Sequence, residues 1–321
     1  MEIKTAAKIL ISILLLIFLL YIAGIQNIFD VIITLDPYLI TVALLITVVS
    51  MVFRFIRWKI ILDACGIRVP FSDITKIFMI GFFFGTITPS KIGNLVKFHY
   101  LKKYYKVRTG IGLSVSLLDR AFDLIIIGII SIVGIFLVFS SLESIYSVII
   151  SFVIIAAILF GIFNEKIFKK IISFGLTKMK PFKKFVTKSG EINIKDSTDS
   201  LYEPFMRLKS VKNFTSTSIT SLLVWLTVGI QITVVLYAMG YQVDLFYTTV
   251  FICIATLVGL LPITASGFGV REGVFAFLLS TVGLPLEVGV LASLITFILG
   301  QLPPALVGLG IYLIYKKKEL P

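Results

Sequence analysis

Charged residues, cysteine and histidine are all scarce in this chain. Only 15% of the 321 residues are charged and 58% are hydrophobic, so apolar runs as long as a bilayer crossing dominate the sequence. The two cysteines, Cys65 and Cys253, lie far apart in apolar surroundings, which supports neither a disulfide framework nor a metal site. There is no P-loop pattern for ATP. The sequence therefore predicts an integral membrane protein without cofactor or metal.

Six apolar stretches are long enough for a transmembrane helix, which needs about 20 residues. They cover residues 9–25, 38–60, 110–139, 145–163, 214–239 and 288–315. The first stretch has no clear signal-peptide cleavage pattern, so we interpret it as an anchor. Two further apolar stretches, 74–101 and 247–280, are interrupted near the middle by proline, glycine and charged residues.

The formal net charge of +13 is distributed unevenly among the loops, and this distribution predicts the topology. Lys and Arg are absent from four short linkers that carry acids, and they cluster at 102–108, 164–213 and 316–318. Positively charged loops stay in the cytoplasm. All the positive loops fall on that side only if the segments 74–101 and 247–280 each return to the side of the membrane from which they entered. We predict an all-α polytopic protein of the cell membrane, with six transmembrane helices, two re-entrant helical hairpins and cytoplasmic termini. The positive charge then needs no nucleic-acid partner.

The predicted elements repeat. Residues 1–139 form one repeat of span, span, hairpin and span, and 140–163 together with 214–321 form a second, inverted one. The segments "ITPSKIG" (87–93) and "ITASGFG" (263–269) agree at four of seven positions. The connector 164–213 has twelve Lys or Arg against five acids, which suits either a solvated cytoplasmic link or contact with anionic lipid headgroups.

The middles of both hairpins combine helix-start signals with positive charge. Thr88 could cap a half-helix that begins at Pro89 and runs to about Tyr100, and Ser266 could cap another that begins near Gly267. Helix N-termini and cations inside a membrane favour the binding of an anion. The alternative is that Arg271 pairs with Glu272 and binds no ligand. The predicted ligands of an anionic lipid headgroup are Thr88, Ser90, Lys91, Gly93, Lys97, Arg120, Ser266, Gly267, Gly269 and Arg271.

A third charged segment, "LLDRAFDL", lies inside the span 110–139. Asp119 and Asp123 are four residues apart and share a helix face, so they could balance Lys91, Lys97 or Arg271. Together with Glu272 they are the predicted intramembrane counter-charges. They could form a structural ion-pair network, take part in ligand binding or relay protons.

Three segments, "TPSKIGNLVKFHYLKK", "LLDRAFDL" and "LPITASGFGVREGVF", resemble the flippase-like family typified by the membrane region of lysylphosphatidylglycerol synthases. The resemblance covers almost the whole chain. Members are thought to move phosphate-bearing lipids between leaflets. The resemblance implies roles in substrate passage for Thr88, Pro89, Gly93, Asp119, Arg120, Pro262, Gly269, Arg271 and Glu272.

Two departures from that family bear on function. The chain carries no soluble aminoacyl-transferase domain, so lysyl-lipid synthesis is not expected, and Asn94 stands where the family often has an acid. We expect a flippase or transporter for an anionic phospholipid or polyprenyl phosphate, driven passively or by an ion. Alternatives are a membrane transferase acting on a lipid phosphate, with Asp119 or Asp123 as base or metal ligand, and a scaffold subunit. No residue is assigned a catalytic role, and membrane lipids are the expected partners.

Overall fold

The computed structural model describes residues 35–138, 202–208, 210–260, 267 and 269–317. These residues are almost entirely helical and include no β-strand. A short helical segment at 202–207 precedes α5. The other helices, in chain order, are α1 (Pro37–Ala64), α2 (Phe71–Ile87), a 3₁₀ helix (Pro89–Val96), α3 (Lys97–Tyr105), α4 (Thr109–Val138), α5 (Val211–Ala238), α6 (Leu245–Gly259), α7 (Val270–Ser280) and α8 (Leu286–Lys317).

Four of these helices, α1, α4, α5 and α8, are long and apolar enough to cross a membrane. They confirm long apolar helices at the predicted spans 38–60, 110–139, 214–239 and 288–315. Some ends differ from the prediction by a few residues. The start of α1 is fixed by a polar cap, since the Asp36 carboxylate accepts a hydrogen bond from the Tyr38 N–H at 2.8 Å. The predicted spans 9–25 and 145–163, and most of the connector 164–213, lie outside the described residues.

Two segments have the form of a helix, a break and a second helix packed against the first. In the first segment α2 packs against the 3₁₀ helix and α3. The predicted half-helix therefore starts as a 3₁₀ helix and continues as α3 to Tyr105, past the predicted end at Tyr100. In the second segment α6 packs against α7, which begins at Val270.

The helix α7 begins at Val270, three residues after Gly267, near which the second half-helix was predicted to start. Gly269 occupies the cap position with a φ of 86°, and the Glu272 carboxylate accepts a 2.7 Å hydrogen bond from its N–H. A glycine with positive φ sets this start because a residue with a Cβ is strained there. Ser266 itself lies outside the described residues.

The apolar residues form two main cores at opposite ends of α1. One core joins the second half of α1 to α2, the 3₁₀ helix, α3 and the first half of α4, and it includes Tyr202, Phe205 and Leu208. The other joins Ala43 of α1 to α5, α6, α7 and the first half of α8. The C-terminal end of the connector is thus partly buried.

Candidate anion-binding site

Asp119 in α4 is buried and binds cations from two other elements. Its Oδ1 accepts a hydrogen bond from Arg57 Nε at 2.9 Å and lies 2.7 Å from Arg57 Nη2. Its Oδ2 accepts a bond from Lys97 Nζ at 2.7 Å. One carboxylate therefore links α1, α3 and α4. This geometry satisfies the buried charges, which would otherwise be very unfavourable.

Asp123 lies one turn further along α4 and shares Arg57 with Asp119. Arg57 Nη1 donates to Asp123 Oδ1 at 2.5 Å and to the hydroxyl of Ser221 in α5 at 3.2 Å. We call Arg57, Lys97, Asp119 and Asp123 the ion-pair cluster. Two further cations stand at its edge, because Arg120 Nη1 and Arg54 Nη1 lie 3.5 and 3.9 Å from Asp123 Oδ2.

Lys97 is completely buried in an aromatic and glycine-lined niche. Its Nζ lies 4.9 Å from the ring centre of Trp58 and 4.6 Å from that of Phe78, which adds cation–π attraction to the ion pair. The helix α2 makes room with Gly81, where a Cβ would lie 2.5 Å from Lys97 Cγ. Gly85, one turn later, faces Asn94 in the same way, since a Cβ there would lie 2.0 Å from Asn94 Nδ2.

The first break is held by Thr88. Its hydroxyl donates to the Phe84 carbonyl and accepts from the Gly93 N–H, each at 2.7 Å. It makes no cap bond to the first turn of the 3₁₀ helix. Gly93 packs against the preceding helix, because a Cβ would lie 2.1 Å from the Phe84 carbonyl oxygen. Between them Lys91 adopts a left-handed φ of 54°, which is uncommon for a residue other than glycine.

The second break places a charge pair at the start of α7. Arg271 Nη2 lies 2.5 Å from Glu272 Oε1, and the Arg271 guanidinium lies 4.9 Å from the ring centre of Phe297. Glu272 is fully buried, so it neutralises Arg271 without reaching the solvent. Gly267 has a φ of 77°, and a Cβ on it would lie 2.3 Å from the Gly259 carbonyl oxygen. Both breaks therefore rely on glycines in close backbone contact.

A cavity of about 310 Å³ lies between the two breaks. Four cationic side chains line it, one each from α1, the 3₁₀ helix, α4 and α7: Arg54, Lys91, Arg120 and Arg271. Asp123 is the one carboxylate among its described lining residues. We call this space the charged cavity. The surplus of cations makes it attractive to an anion.

Three arginines of the cavity wall each have an unpaired donor. The buried Nε atoms of Arg54, Arg120 and Arg271 have no hydrogen-bond partner among the described residues. Guanidinium groups suit phosphate and carboxylate because two parallel N–H bonds match their oxygens. The arrangement can therefore hold a phosphate.

Three of the predicted headgroup ligands, Lys91, Arg120 and Arg271, line the charged cavity. Lys97 lies in the ion-pair cluster and is not on the cavity wall. The remaining predicted ligands belong to the two breaks: Thr88, Ser90 and Gly93 in the first, and Gly267 and Gly269 in the second. Ser266 lies outside the described residues, as does Pro262, which the resemblance implied.

Sequence reasoning missed Arg54 and Arg57, the two arginines of "FRFIRW" in α1. Arg57 is the main partner of both aspartates, and Arg54 lines the cavity. The available signal was their position, since two arginines three residues apart inside an apolar span share a helix face and need partners. Asp119 thus has the contacts expected of a structural ion-pair network. Arg120 contacts Asp123 and also lines the cavity.

The fold and the site define a helical integral membrane protein with a buried, positively charged cavity. Comparison with known proteins adds a family. The model of the lysylphosphatidylglycerol synthase transmembrane region matches residues 5–308, and the chain belongs to that family.

Similar proteins occur in archaea. A UPF0104 membrane protein of Methanocaldococcus jannaschii is 25% identical over 98% of this chain and 96% of its own length. One from Methanothermobacter thermautotrophicus is 22% identical over 92% of this chain and 90% of its own length. One from Pyrococcus horikoshii is 23% identical over 99% of this chain and 98% of its own length. The chain therefore corresponds to nearly the full length of each of these relatives.

Proposed function

We propose that the protein is a transporter or flippase for an anionic, phosphate-bearing lipid of the phospholipid or polyprenyl-phosphate type. The phosphate binds in the charged cavity while the acyl or prenyl chains stay in the surrounding apolar phase. The observation that carries this proposal is the set of four cations facing one carboxylate on the cavity wall. Intramembrane cations are unfavourable without partners, and they commonly mark a substrate pathway.

The proposal includes the topology of six spans and two re-entrant hairpins in an inverted repeat, with both termini in the cytoplasm. The lengths of the helices at the breaks support it. The helix α6 has 15 residues and α7 has 11, so at 1.5 Å per residue they extend only about 22 and 17 Å. Neither reaches across a hydrocarbon core of about 30 Å. Irregular backbone at this depth is tolerated where it lines a cavity, as Lys91 with its left-handed φ does.

The transferase alternative would use Asp119 or Asp123 as a base or a metal ligand. Both carboxylates are bonded to Arg57, and Asp119 also to Lys97, which favours a counter-charge role for them. The scaffold alternative makes a different prediction, because a scaffold would tolerate neutral residues on the cavity wall. The experiment below separates it from transport.

Transport can be measured in proteoliposomes that contain phosphatidylglycerol. An impermeant oxidant consumes the headgroup in the outer leaflet, and any further loss reports translocation from the inner leaflet. We expect Lys91→Ala and Arg271→Ala each to slow translocation by about tenfold or more, since each removes a charged contact to phosphate worth about 1.5–3 kcal/mol.

The matched control is Lys59→Ala. Lys59 lies in α1, but its side chain is 41% exposed and pairs with Asp63 outside the cavity. This variant should translocate lipid like the parent. If Lys91→Ala and Arg271→Ala both match the parent while folded, the anion-site mechanism is wrong and a scaffold role gains support.

A further inference from the structure

The charges of the ion-pair cluster and the charged cavity do not balance within the described part of the chain. Six cations stand there against three carboxylates, one of which is Glu272, the partner of Arg271 beside the cavity wall. Arginine stays protonated in proteins, and Lys97 is held by its ion pair with Asp119. The arginines and Lys97 alone exceed the carboxylates by two charges, and a protonated Lys91 makes the excess three.

The excess charge lies on the part of the site that a ligand can reach. The side chains of the two cations in the ion-pair cluster are at most 1% exposed, whereas those of Arg54, Arg120 and Arg271 are 12%, 28% and 18% exposed and line the cavity. Arg54 and Arg120 approach Asp123 Oδ2 only to 3.9 and 3.5 Å, which is longer than a usual N–H···O bond. Both can therefore bond to a ligand oxygen without first breaking a hydrogen bond to Asp123.

The size of the excess discriminates between two kinds of phosphate. The phosphate of a diester, as in phosphatidylglycerol, has a single negative charge and two free oxygens. A terminal phosphate has a charge of about −1.5 to −2 at pH 7 and three free oxygens. Uncompensated charge is most unfavourable where little water screens it, so the group with the larger charge suits the cavity better.

The arrangement of the cations also suits a terminal phosphate. Arg54, Lys91, Arg120 and Arg271 belong to four different elements of the fold and meet at one cavity. Guanidinium groups bind phosphate oxygens in pairs of parallel N–H bonds. Three free oxygens can be shared among more of these cations than two can.

The cavity has an apolar edge at Leu124 of α4. This side chain lines the cavity and is also 46% exposed, and Ile127 and Val228 continue the apolar lining. The cavity volume of about 310 Å³ lies at the small end of the range for ligand pockets. A small headgroup therefore fits inside, and its hydrocarbon chain can leave past Leu124.

We infer that the charged cavity binds a terminal phosphate on a hydrocarbon carrier, as in a polyprenyl phosphate or phosphatidic acid, in preference to a phosphodiester headgroup. The inference rests on the proposed function and narrows the substrate class of that site. Arg54, Arg120 and Arg271 bind the terminal oxygens. Lys91 adds to the positive charge that favours the second negative charge of the ligand.

The chain offers a built-in reporter for a binding test. It has two tryptophans: Trp225 lines the cavity, and Trp58 is buried beside Lys97. The Trp58 indole N–H has no partner among the described residues, so Trp58→Phe loses no hydrogen bond there and leaves Trp225 as the single fluorophore. Its fluorescence is titrated at pH 7 in nanodiscs of phosphatidylcholine that contain phosphatidic acid, a polyprenyl phosphate or phosphatidylglycerol.

We expect both terminal phosphates to bind about tenfold more tightly than phosphatidylglycerol. Lys91→Met removes one positive charge from the wall and should reduce this preference to about threefold. Glu272→Gln removes a negative charge and should raise the preference to about thirtyfold, while its amide oxygen can still accept from the Gly269 N–H. The two changes have opposite signs, so general damage to the fold cannot produce both.

The matched control is Lys59→Met, which removes the same charge from a side chain that is 41% exposed and pairs with Asp63 outside the cavity. It should leave the preference at about tenfold. A preference that stays constant in both Lys91→Met and Glu272→Gln would show that the charge balance does not select the headgroup.

The outcomes separate this inference from the proposed function. Equal or tighter binding of phosphatidylglycerol overturns the inference and leaves the anion site intact, whereas the proposed function fails as well if none of the three lipids binds. Phosphatidic acid and the polyprenyl phosphate present the same group on two chains and on one, so the tighter of the two identifies the carrier. Inorganic phosphate that displaces these lipids at equal concentration would overturn the assignment to a lipid.

Discussion

Arg57 and Arg54 lie three residues apart on α1, one in the ion-pair cluster and the other on the wall of the charged cavity. Arg57 is fully buried and bonds to Asp119, Asp123 and Ser221. Arg54 has a single distant ion pair, 3.9 Å from Asp123, and an Nε without a partner among the described residues. Arg57 is thus bonded within the fold, whereas Arg54 is available for a ligand.

The difference comes from how the carboxylates are distributed. The cluster and the cavity wall together contain two buried carboxylates, Asp119 and Asp123, and a third, Glu272, pairs with Arg271 beside the wall. Against these stand six cations: Arg54, Arg57, Lys91, Lys97, Arg120 and Arg271. Asp119 is used entirely by the cluster, and Glu272 by its neighbour Arg271 and the Gly269 N–H. The surplus positive charge therefore falls on the cavity. A buried charge that is paired stabilises one arrangement of helices, whereas an unpaired one is ready to bind.

Removing the central carboxylate should break the cluster with the largest effect. Asp119→Asn leaves Arg57 with one of its two carboxylates and removes the carboxylate that pairs with Lys97. Breaking a buried pair in this way costs about 3–5 kcal/mol. We expect a loss of that order in the free energy of unfolding in detergent. The measurement is reversible unfolding followed by circular dichroism.

Asp63→Asn is the matched control for Asp119→Asn. Asp63 pairs with Lys59 four residues away, but both side chains are more than 40% exposed, so the change should cost less than about 1 kcal/mol. Equal losses for the two variants would mean that the buried cluster contributes no more to stability than an exposed pair does.

The docking of the 3₁₀ helix against α2 can be disturbed without altering any charge. Gly85→Ala would place a Cβ 2.0 Å from Asn94 Nδ2, so one of the two elements must shift. Overpacking of this kind costs about 1–3 kcal/mol. We expect lower thermal stability together with weaker lipid binding, because the 3₁₀ helix carries Lys91 to the cavity.

Gly310→Ala is the control for this change, since a Cβ at Gly310 meets no atom of the described residues within 4 Å. Alanine favours helix more than glycine does, so Gly310→Ala in α8 should be neutral or slightly stabilising. The proposed docking is contradicted if the two glycine variants behave alike.

Neutralising Arg54 tests the role of the charged cavity in ligand binding. We expect Arg54→Gln to lower the free energy of unfolding by only about 1 kcal/mol, because Arg54 lies 3.9 Å from Asp123, whereas Arg57 lies 2.5 and 2.7 Å from two carboxylates. Its affinity for phosphatidylglycerol should fall by about tenfold, through the loss of one charged contact with the phosphate. The measurements are unfolding in detergent and lipid titration of the folded variant.

Arg57→Gln should show the reverse pattern, with a large loss of stability and, in the folded fraction, a smaller loss of affinity. Opposite effects of the two variants on stability and on affinity are difficult to explain unless one arginine is structural and the other contacts the ligand. If Arg54→Gln destabilises the protein as much as Arg57→Gln does, the division between cluster and cavity is wrong.

The features that could be predicted from the sequence are those set by hydrophobic periodicity and by the distribution of charge. The four long helices, the breaks near Thr88 and Gly269 and the cations Lys91, Arg120 and Arg271 all follow from apolar runs interrupted by proline, glycine or charge. The partners of Asp119 could not be deduced, because Arg57 is 62 residues away in the chain. The spacing of Gly81 and Gly85 indicates close packing but does not say that Lys97 and Asn94 fill the space.

The smallest effect is expected at Asp73 of α2, a partly exposed carboxylate that accepts hydrogen bonds from Tyr105 and Lys76. Burial acts to raise the pKa of Asp73, but these two bonds outweigh it and lower the pKa below its ordinary value of 3.8. A carboxyl with a lowered pKa adds stability above its ordinary pKa, and this stability disappears as the pH falls through the lowered value. Tyr105→Phe removes one of the bonds.

The wild type should therefore be slightly more stable than Tyr105→Phe at neutral pH, by about 1 kcal/mol or less, because the pair is partly exposed to water. The difference should shrink below about pH 4, as Asp73 takes up its proton. Thermal unfolding of both proteins from about pH 3 to pH 8 measures it. Asp119 follows the opposite expectation, because it is buried and bonded to two cations, so Asp119→Asn should remain strongly destabilising at a pH where the Tyr105 effect has disappeared. A difference between wild type and Tyr105→Phe that persists unchanged at pH 3 would show that Tyr105 acts through packing and not through the Asp73 carboxylate.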